Sequence, residues 1–248
     1  MTDHTDPQRR TMLRNTVAAA AVLGSAHAAG AATAPPALDK PLKPTLTAFE
    51  SQAGPKPLAF DPAKLNGLSE KIIRSHWENN YGGSVKALAV IKKRLSEALA
   101  DKDLPPYVYN DLKREHLLRT GSVVLHEHYF DNLGGNGQAG APERKVIADA
   151  FGSFDTWETE FRRIAAGLGG GSGWVVLGYN TYTRQLENYW LADHAHGPAA
   201  TLPLLVLDMY EHSYQMDFGA AAAKYIDAFF KNIQWEAVAS RLASLSRA

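Results

Sequence analysis

The chain has 248 residues, 45% of them hydrophobic, which is enough for one large globular unit or two small ones. Lys plus Arg and Asp plus Glu number 26 each, so no excess charge would draw the chain to nucleic acid or to an anionic membrane. There is no cysteine, which excludes disulfides, thiolate-bound zinc, iron–sulfur clusters and a cysteine nucleophile. Any metal ion must therefore be held by His, Asp or Glu.

Residues 1–28 have the features of an export signal rather than of folded structure. The pair Arg9-Arg10 precedes a weakly apolar stretch, and a small-x-small sequence suited to cleavage ends at Ala28. The apolar stretch is too short to span a membrane. We therefore expect export by the twin-arginine route, a periplasmic or secreted location and no membrane anchor. The alternative is a frayed, Ala-rich N-terminal helix.

The next two segments are predicted to be an extended arm and a helical hairpin. Residues 29–63 are rich in Ala and Pro, and repeated Pro disfavours both helix and sheet. In the hairpin domain, residues 64–138, apolar residues recur at helical spacing from Asn66 to Leu99, and a second helix runs from Tyr107 to Phe130. The sequence Tyr81-Gly82-Gly83-Ser84 interrupts the first helix and indicates a bend or a close approach by another element.

Residues 139–248 are predicted to form an α+β C-terminal domain. A helix capped by Ser153 is followed by three strands, which we place at Trp174–Tyr179, Leu186–Leu191 and Leu202–Leu207. Two more helices are expected after the strands, at Ala220–Phe230 and Glu236–Leu245. The predicted fold class is α+β: an N-terminal long helical hairpin, then a C-terminal α/β domain with a small three-stranded antiparallel sheet.

Side chains that can bind a metal cluster at two places in the sequence. His126 and His128 are two residues apart on a predicted helix, so they point to different faces and cannot both bind one ion. Asp208 and His212 follow the third strand, where a buried carboxylate is costly unless a cation neutralises it. The alternative for that pair is an Asp that caps the next helix and a His in the core.

The segment after the third strand carries the most specific motif. Asp208-Met209-Tyr210-Glu211-His212-Ser213-Tyr214 resembles the signature Asp-x-Trp-Glu-His-x-Tyr of the iron/manganese superoxide dismutase family. Phe151-Gly152-Ser153-Phe154, Gly171-Ser172-Gly173-Trp174 and the stretch from Tyr225 to Trp235 also match landmarks of that family. The resemblance covers the chain from about Asn66 to Leu245.

This resemblance implies a superoxide dismutase that disproportionates superoxide at one Fe or Mn ion per subunit. It implies that the metal ligands are His76 on the first helix, His126 on the second, and Asp208 and His212 in the signature. It leaves His128 outside the ligand set. A site of three imidazoles and one carboxylate suits iron or manganese, zinc is chemically acceptable as well, and the ligand set leaves iron and manganese both open.

The resemblance also assigns four residues to the reaction. His194 matches a histidine that hydrogen-bonds the metal-bound solvent, with His196 as the alternative, and Tyr210 stands in the place of the signature Trp. Tyr81 lies near the expected substrate funnel. Glu211 is expected to bridge to the ligand histidine of a second subunit, which implies a homodimer or a tetramer.

Four positions depart from the family's pattern. Asn80 and Ser84 stand where the family usually has the funnel His and Tyr, Tyr210 replaces the signature Trp, and Gln215 replaces a Tyr that pairs with that His. Ser122 occupies the family's other position for a solvent-binding Gln and cannot reach as far. The lost funnel groups would alter proton delivery and need not remove metal binding. The alternative function is therefore a metal-binding relative with weak or no dismutase activity, and a third hypothesis is a different metal enzyme on the same scaffold.

Overall fold

A computed structural model of the chain describes residues 47–245. The predicted export signal, residues 1–28, and the predicted arm as far as residue 46 lie outside the described residues. Among the residues described, no helix is both long enough and apolar enough to cross a membrane.

The first part of the described chain is the predicted helical hairpin. One side consists of α1 (Glu70–Ser75), a π-helical turn (His76–Tyr81) and α2 (Gly82–Ala98), which follow one another without a break. The other side is α3 (Pro106–Asp131), which packs against α2. The hairpin confirms the two long helices that the apolar spacing predicts.

The first helix begins at Glu70 and not at Asn66. Ser69 Oγ accepts a hydrogen bond from Ile72 N at 3.1 Å and so caps the helix. Gly67 has a φ of +83°, which a helix does not accommodate. Asp217 accepts hydrogen bonds from both the N and the Oγ of Ser69, each at 2.7 Å. The start of α1 is therefore tied to a residue that follows the signature motif in sequence.

The π-helical turn accounts for the irregular sequence in the first helix. Gly82 N donates to Trp77 O, five residues earlier, where an α-helix would bond four residues back. A Cβ at Gly82 would lie 3.3 Å from that same carbonyl oxygen, so a glycine relieves the contact. The predicted irregularity is confirmed, and it lies mainly before the glycines.

Two helices, α4 (Ala141–Phe151) and α5 (Phe154–Gly167), precede the sheet. Ser153 caps α5 as predicted, because its Oγ accepts from Thr156 N at 2.9 Å. Helix α4 was not predicted. It has Pro142 in its first turn, where a missing N–H costs nothing, and Ile147 is its one fully buried residue.

The three predicted strands are β1 (Trp174–Asn180), β2 (Gln185–Leu191) and β3 (Thr201–Asp208), and they form one antiparallel sheet in the order β2-β1-β3. Trp174, the first residue of β1, pairs with Leu191 on β2 and with Asp208 on β3. The end of β3 therefore lies beside the start of β1. The helices that follow the sheet are α6 (Gln215–Phe218), α7 (Ala222–Lys231) and α8 (Trp235–Leu245).

One hydrophobic cluster joins the hairpin to the sheet. It includes Ile72 of α1, Tyr129 of α3 and Val206 of β3, all almost completely buried. Asn132, just after α3, accepts from Val206 N at 3.0 Å and donates to Leu204 O at 3.4 Å. The end of α3 is thereby fixed to the middle of β3, and residues near the end of β3 come close to both sides of the hairpin.

Candidate metal centre

Four side chains that can bind a metal converge where the hairpin meets the end of β3. His76 begins the π-helical turn, His126 lies on α3, Asp208 ends β3, and His212 lies in a 3₁₀ turn, Glu211–Ser213. Their ligand atoms all lie within 4.8 Å of one another. Three of the four are buried, and the side chain of His212 is 26% exposed. The structure thus brings together every residue that was predicted as a ligand.

Asp208 lies at the centre of this cluster. Its Oδ2 is 3.1 Å from His76 Nε2, 3.3 Å from His212 Nε2 and 3.6 Å from His126 Nε2. Its Oδ1 accepts a hydrogen bond from Tyr210 N at 2.8 Å. Its backbone oxygen accepts from Tyr225 OH at 2.7 Å. One carboxylate oxygen therefore faces three imidazoles, while the rest of the residue is held by hydrogen bonds.

The surroundings of Asp208, His76 and His126 favour the protonation states in which these three residues bind metal. Burial raises the pKa of Asp208, but the hydrogen bond from His212 and the close approach of His76 outweigh it and hold that pKa well below its usual range. Burial lowers the pKa of His76, and it lowers the pKa of His126 to about 3. A carboxylate and neutral imidazoles are the forms that coordinate a cation.

Buried nitrogen atoms show that a cation fits between these residues. Nε2 of His76 and Nε2 of His126 are buried and have no well-aligned hydrogen-bond partner among the described residues, although both approach Asp208. Unpaired buried polar atoms are costly. A cation shared by the three imidazoles and the carboxylate would satisfy them all, and this donor set suits iron or manganese.

Ser122 orients the ring of His126. His126 Nδ1 lies 2.7 Å from Ser122 O and 3.2 Å from Ser122 Oγ. Because a carbonyl oxygen only accepts, Nδ1 carries the proton and the Nε2 lone pair faces Asp208. Ser122 Oγ is also 2.8 Å from Ser84 Oγ, and both serines are buried. Ser84, which departs from the family's pattern, thus contacts Ser122 beside a ligand.

His194 lies next to the cluster and is held by Trp174. Its ring stacks on Tyr210, with centroids 4.7 Å apart, and lies 5.9 Å from the ring of His126. Trp174 Nε1 donates to His194 Nδ1 at 3.0 Å. An indole N–H is only a donor, so neutral His194 carries its proton on Nε2. Burial lowers the pKa of His194 and favours this neutral form.

The other predicted residues lie at different distances from the cluster. The ring of Tyr210 is also 5.3 Å from that of His212, and burial raises the pKa of Tyr210 to about 12. Glu211 is exposed. His196 is exposed too and pairs with Asp193, Nδ1 to Oδ1 at 2.7 Å, so of the two candidate histidines His194 is the one that adjoins the site.

Tyr81 and His128 make contacts away from the ligand atoms. The ring of Tyr81 is 6.2 Å from that of His126, and its hydroxyl accepts from Lys56 N at 2.8 Å and donates to Glu127 at 2.9 Å. Burial raises the pKa of Tyr81 to about 12. His128 Nδ1 lies 3.0 Å from a carbonyl oxygen of its own helix, and the residue lies outside the ligand cluster, as predicted.

Gly121, which was not predicted as a site residue, brings the segment of His194 against α3. A Cβ at position 121 would lie 1.7 Å from His194 O, which is a backbone atom and cannot move by a rotamer change. Only glycine therefore permits this approach. A glycine in the middle of a predicted helix was the available signal. The hydrogen bond from Trp174 to His194 was also missed, since it joins residues from different elements.

Comparisons with known proteins agree with this site. Residues 140–241 match the family model for iron/manganese superoxide dismutases, C-terminal domain. The chain is 51% identical over 192 residues to a superoxide dismutase [Fe] of Cupriavidus metallidurans, covering 77% of this chain and 97% of the relative. It is 33% identical to a superoxide dismutase [Fe] of Aquifex aeolicus, over 75% of this chain and 90% of the relative. It is 31% identical to a superoxide dismutase [Mn] of Haloarcula marismortui, over 74% of this chain and 90% of the relative.

Three histidines and one aspartate on a helical hairpin and a three-stranded sheet define a protein with a mononuclear metal centre. The sequence identities above define the family of this protein. The chain belongs to the iron/manganese superoxide dismutase family, a family of oxidoreductases.

Asp208→Ala should abolish tight metal binding, because it removes the one anionic donor among four ligands. We expect the purified variant to contain little iron or manganese by elemental analysis, while its far-ultraviolet circular dichroism stays close to that of the parent. Asp193→Ala, which removes a carboxylate outside the cluster, is the matched control and should keep its metal. Full metal retention in Asp208→Ala would show that Asp208 is not a ligand.

Gly121→Ala should displace the segment of His194 and leave the four ligands in place. We expect metal content near that of the parent, a changed midpoint potential, and a loss of about 1–3 kcal/mol in the free energy of unfolding, typical of overpacking. Gly83→Ala is the control, because nothing lies within 4 Å of a Cβ there. The free energy of unfolding of Gly83→Ala should be unchanged or higher by up to about 1 kcal/mol. An unchanged midpoint potential in Gly121→Ala would contradict the role of His194 beside the metal.

Proposed function

We propose that the chain is a superoxide dismutase that converts superoxide to hydrogen peroxide and oxygen with one iron or manganese ion per subunit. The observation that carries this function is the cluster of His76, His126, Asp208 and His212, in which buried nitrogens and a buried carboxylate face one another. Membership of the family supports it, as does the 51% identity to a relative named as an iron enzyme. That identity favours iron as the resident metal.

An iron or manganese ion held by the four ligands supplies one-electron chemistry, in which one superoxide is oxidised to oxygen and another is reduced and takes up two protons. The residues of the chain have two tasks. Asp208 and the neutral imidazoles bind the ion. His194, with its proton on Nε2, is a hydrogen-bond donor beside the site, and Tyr210, with a pKa of about 12, keeps its proton at neutral pH and stacks between His194 and His212.

Superoxide dismutation and metal content, measured on the same purified sample, test this function. We expect rapid turnover with about one iron per chain, since the centre offers one set of ligands. The Asp208→Ala variant serves as the inactive control. Tight metal binding without turnover would favour the alternative, a metal-binding relative whose changes at Asn80, Ser84 and Gln215 remove proton delivery. Turnover of another small oxidant in place of superoxide would favour a different metal enzyme.

We also propose that two copies associate at this site, through Glu211 of one copy and His212 of the other. Glu211 is exposed and directly precedes His212, the one ligand of the four that is not buried. Sedimentation analysis should find a dimer or tetramer for the parent. Glu211→Ala should weaken the association at least about tenfold, as loss of a central interface contact does. Glu236→Ala, an exposed glutamate on α8, is the control; equal association in all three proteins would contradict the proposal.

We propose further that the chain is exported by the twin-arginine route to the periplasm or beyond. The support is the pair Arg9-Arg10, the weakly apolar stretch after it and the small-residue sequence that ends at Ala28. Cell fractionation should find the parent outside the cytoplasm with its N-terminal segment removed. The double variant Arg9→Lys, Arg10→Lys should accumulate in the cytoplasm at full length, because the ammonium of Lys does not reproduce the planar, five-donor guanidinium of Arg. Equal export of both proteins would rule out this route.

A further inference from the structure

Lys56 contacts the hairpin through three polar groups of its own. Its backbone N donates to Tyr81 OH at 2.8 Å, and its backbone O accepts from Trp77 Nε1 at 2.9 Å. Its side-chain ammonium pairs with the carboxylate of Glu127. Gln52 Nε2 donates to the same carboxylate at 3.2 Å. One short segment is therefore bonded both to the π-helical turn and to α3.

The partners of Lys56 are immediate neighbours of metal ligands. Trp77 follows His76 and Glu127 follows His126 in sequence. Tyr81, the last residue of the π-helical turn, donates to Glu127 at 2.9 Å and so joins the turn to α3 directly. None of these partners belongs to the ligand cluster. Lys56 can therefore act on a bound metal through the backbone that carries His76 and His126, and through the ring of Tyr81, which lies 6.2 Å from that of His126.

The segment is packed against the hairpin as well as bonded to it. Leu58 and Phe60 pack against the hydrophobic core. Phe60 lies so near Gly134 that a Cβ at that position would come within 2.5 Å of Phe60 Cβ. The cavity that Lys56 and Leu58 line together with Trp77, Tyr81 and Glu127 has a volume of about 10 Å³, room for one water molecule at most. A larger cavity, of about 590 Å³, lies beside Ala59 and Phe60. The segment is therefore packed most closely against the hairpin around Lys56.

The π-helical turn has a particular need for such support. Turns of this kind are rare, occur mostly as single interruptions of an α-helix and are frequent at functional sites. His76 is the first residue of the turn, so any change in its geometry moves a metal ligand. Lys56 bonds the turn at two points, Trp77 and Tyr81. Glu127 is only 13% exposed, and loss of its cation would leave a poorly compensated carboxylate next to His126.

We propose that Lys56 is a positioning residue of the metal centre, and that the segment 52–60 around it is a clasp that slows the loss of bound metal. The clasp holds the π-helical turn and α3 together and so keeps both His76 and His126 close to Asp208. The inference rests on the proposed function in one respect, that the ion bound by the four ligands is iron or manganese.

The rate of metal release to a chelator tests this role. Lys56→Ala removes the ammonium, and Trp77→Phe removes the indole donor. Each should release iron about tenfold faster than the parent, at the low end of the effect of contacts that orient metal ligands. Each should also change the electron paramagnetic resonance spectrum of the ferric site. Lys56→Arg, which can still pair with Glu127, should restore slow release. Lys64→Ala, an exposed lysine paired with Asp61, is the control and should match the parent.

Two outcomes would overturn the clasp. One is release from Lys56→Ala and Trp77→Phe at the rate of the parent. The other is a lower melting temperature with unchanged release and an unchanged spectrum, which would make the contact merely structural. Dismutase turnover is measured separately, so that a parent that holds iron without turnover contradicts the proposed function and leaves the comparison of release rates valid. A parent that holds no metal would overturn both the proposed function and the clasp.

Discussion

The buried carboxylate of Asp208 is the constraint on which the rest of the structure depends. An ionised carboxylate inside a protein needs positive charge or several donors close by. Among residues 47–245, no Lys or Arg pairs with its Oδ2, which faces three imidazoles instead, and burial keeps two of these neutral. A bound cation is therefore needed to compensate the negative charge of the carboxylate. This requirement explains why the π-helical turn, α3 and a 3₁₀ turn all meet at the last residue of β3.

The groups that orient the ligands are mostly backbone atoms and small side chains. A carbonyl oxygen holds His126, a backbone N–H holds one oxygen of Asp208, and glycine lets the segment of His194 reach α3. Ser84 and Ser122 contact each other beside His126. The four possible ligands therefore lie together although a pair of small hydroxyl side chains occupies this part of the site.

How much of this structure the sequence predicts depends on how far apart along the chain the interacting residues lie. The strands, the hairpin and the cap at Ser153 rest on local patterns and were predicted, whereas α4, with Ile147 as its one fully buried residue, has too weak an apolar face to be recognised. The ligands came from a motif and its resemblance to a family. The contacts of Lys56, Ser122 and Gly121 with distant residues were not predicted, because no local pattern encodes which elements meet in space.

The π-helical turn has a consequence for how relatives of this chain diverge. A turn closed by a bond to the fifth residue contains one residue more than an α-helical turn. Deletion of a single residue there would let the turn wind as α-helix, and the residues of α2 after it would keep nearly the same faces, because a π-helical turn takes up one extra residue over about the same rotation. Ser84 would still face Ser122, while the backbone around His76 would lose its irregular geometry. At this point in the chain, one residue can be gained or lost with little effect on the packing of the rest of the helix.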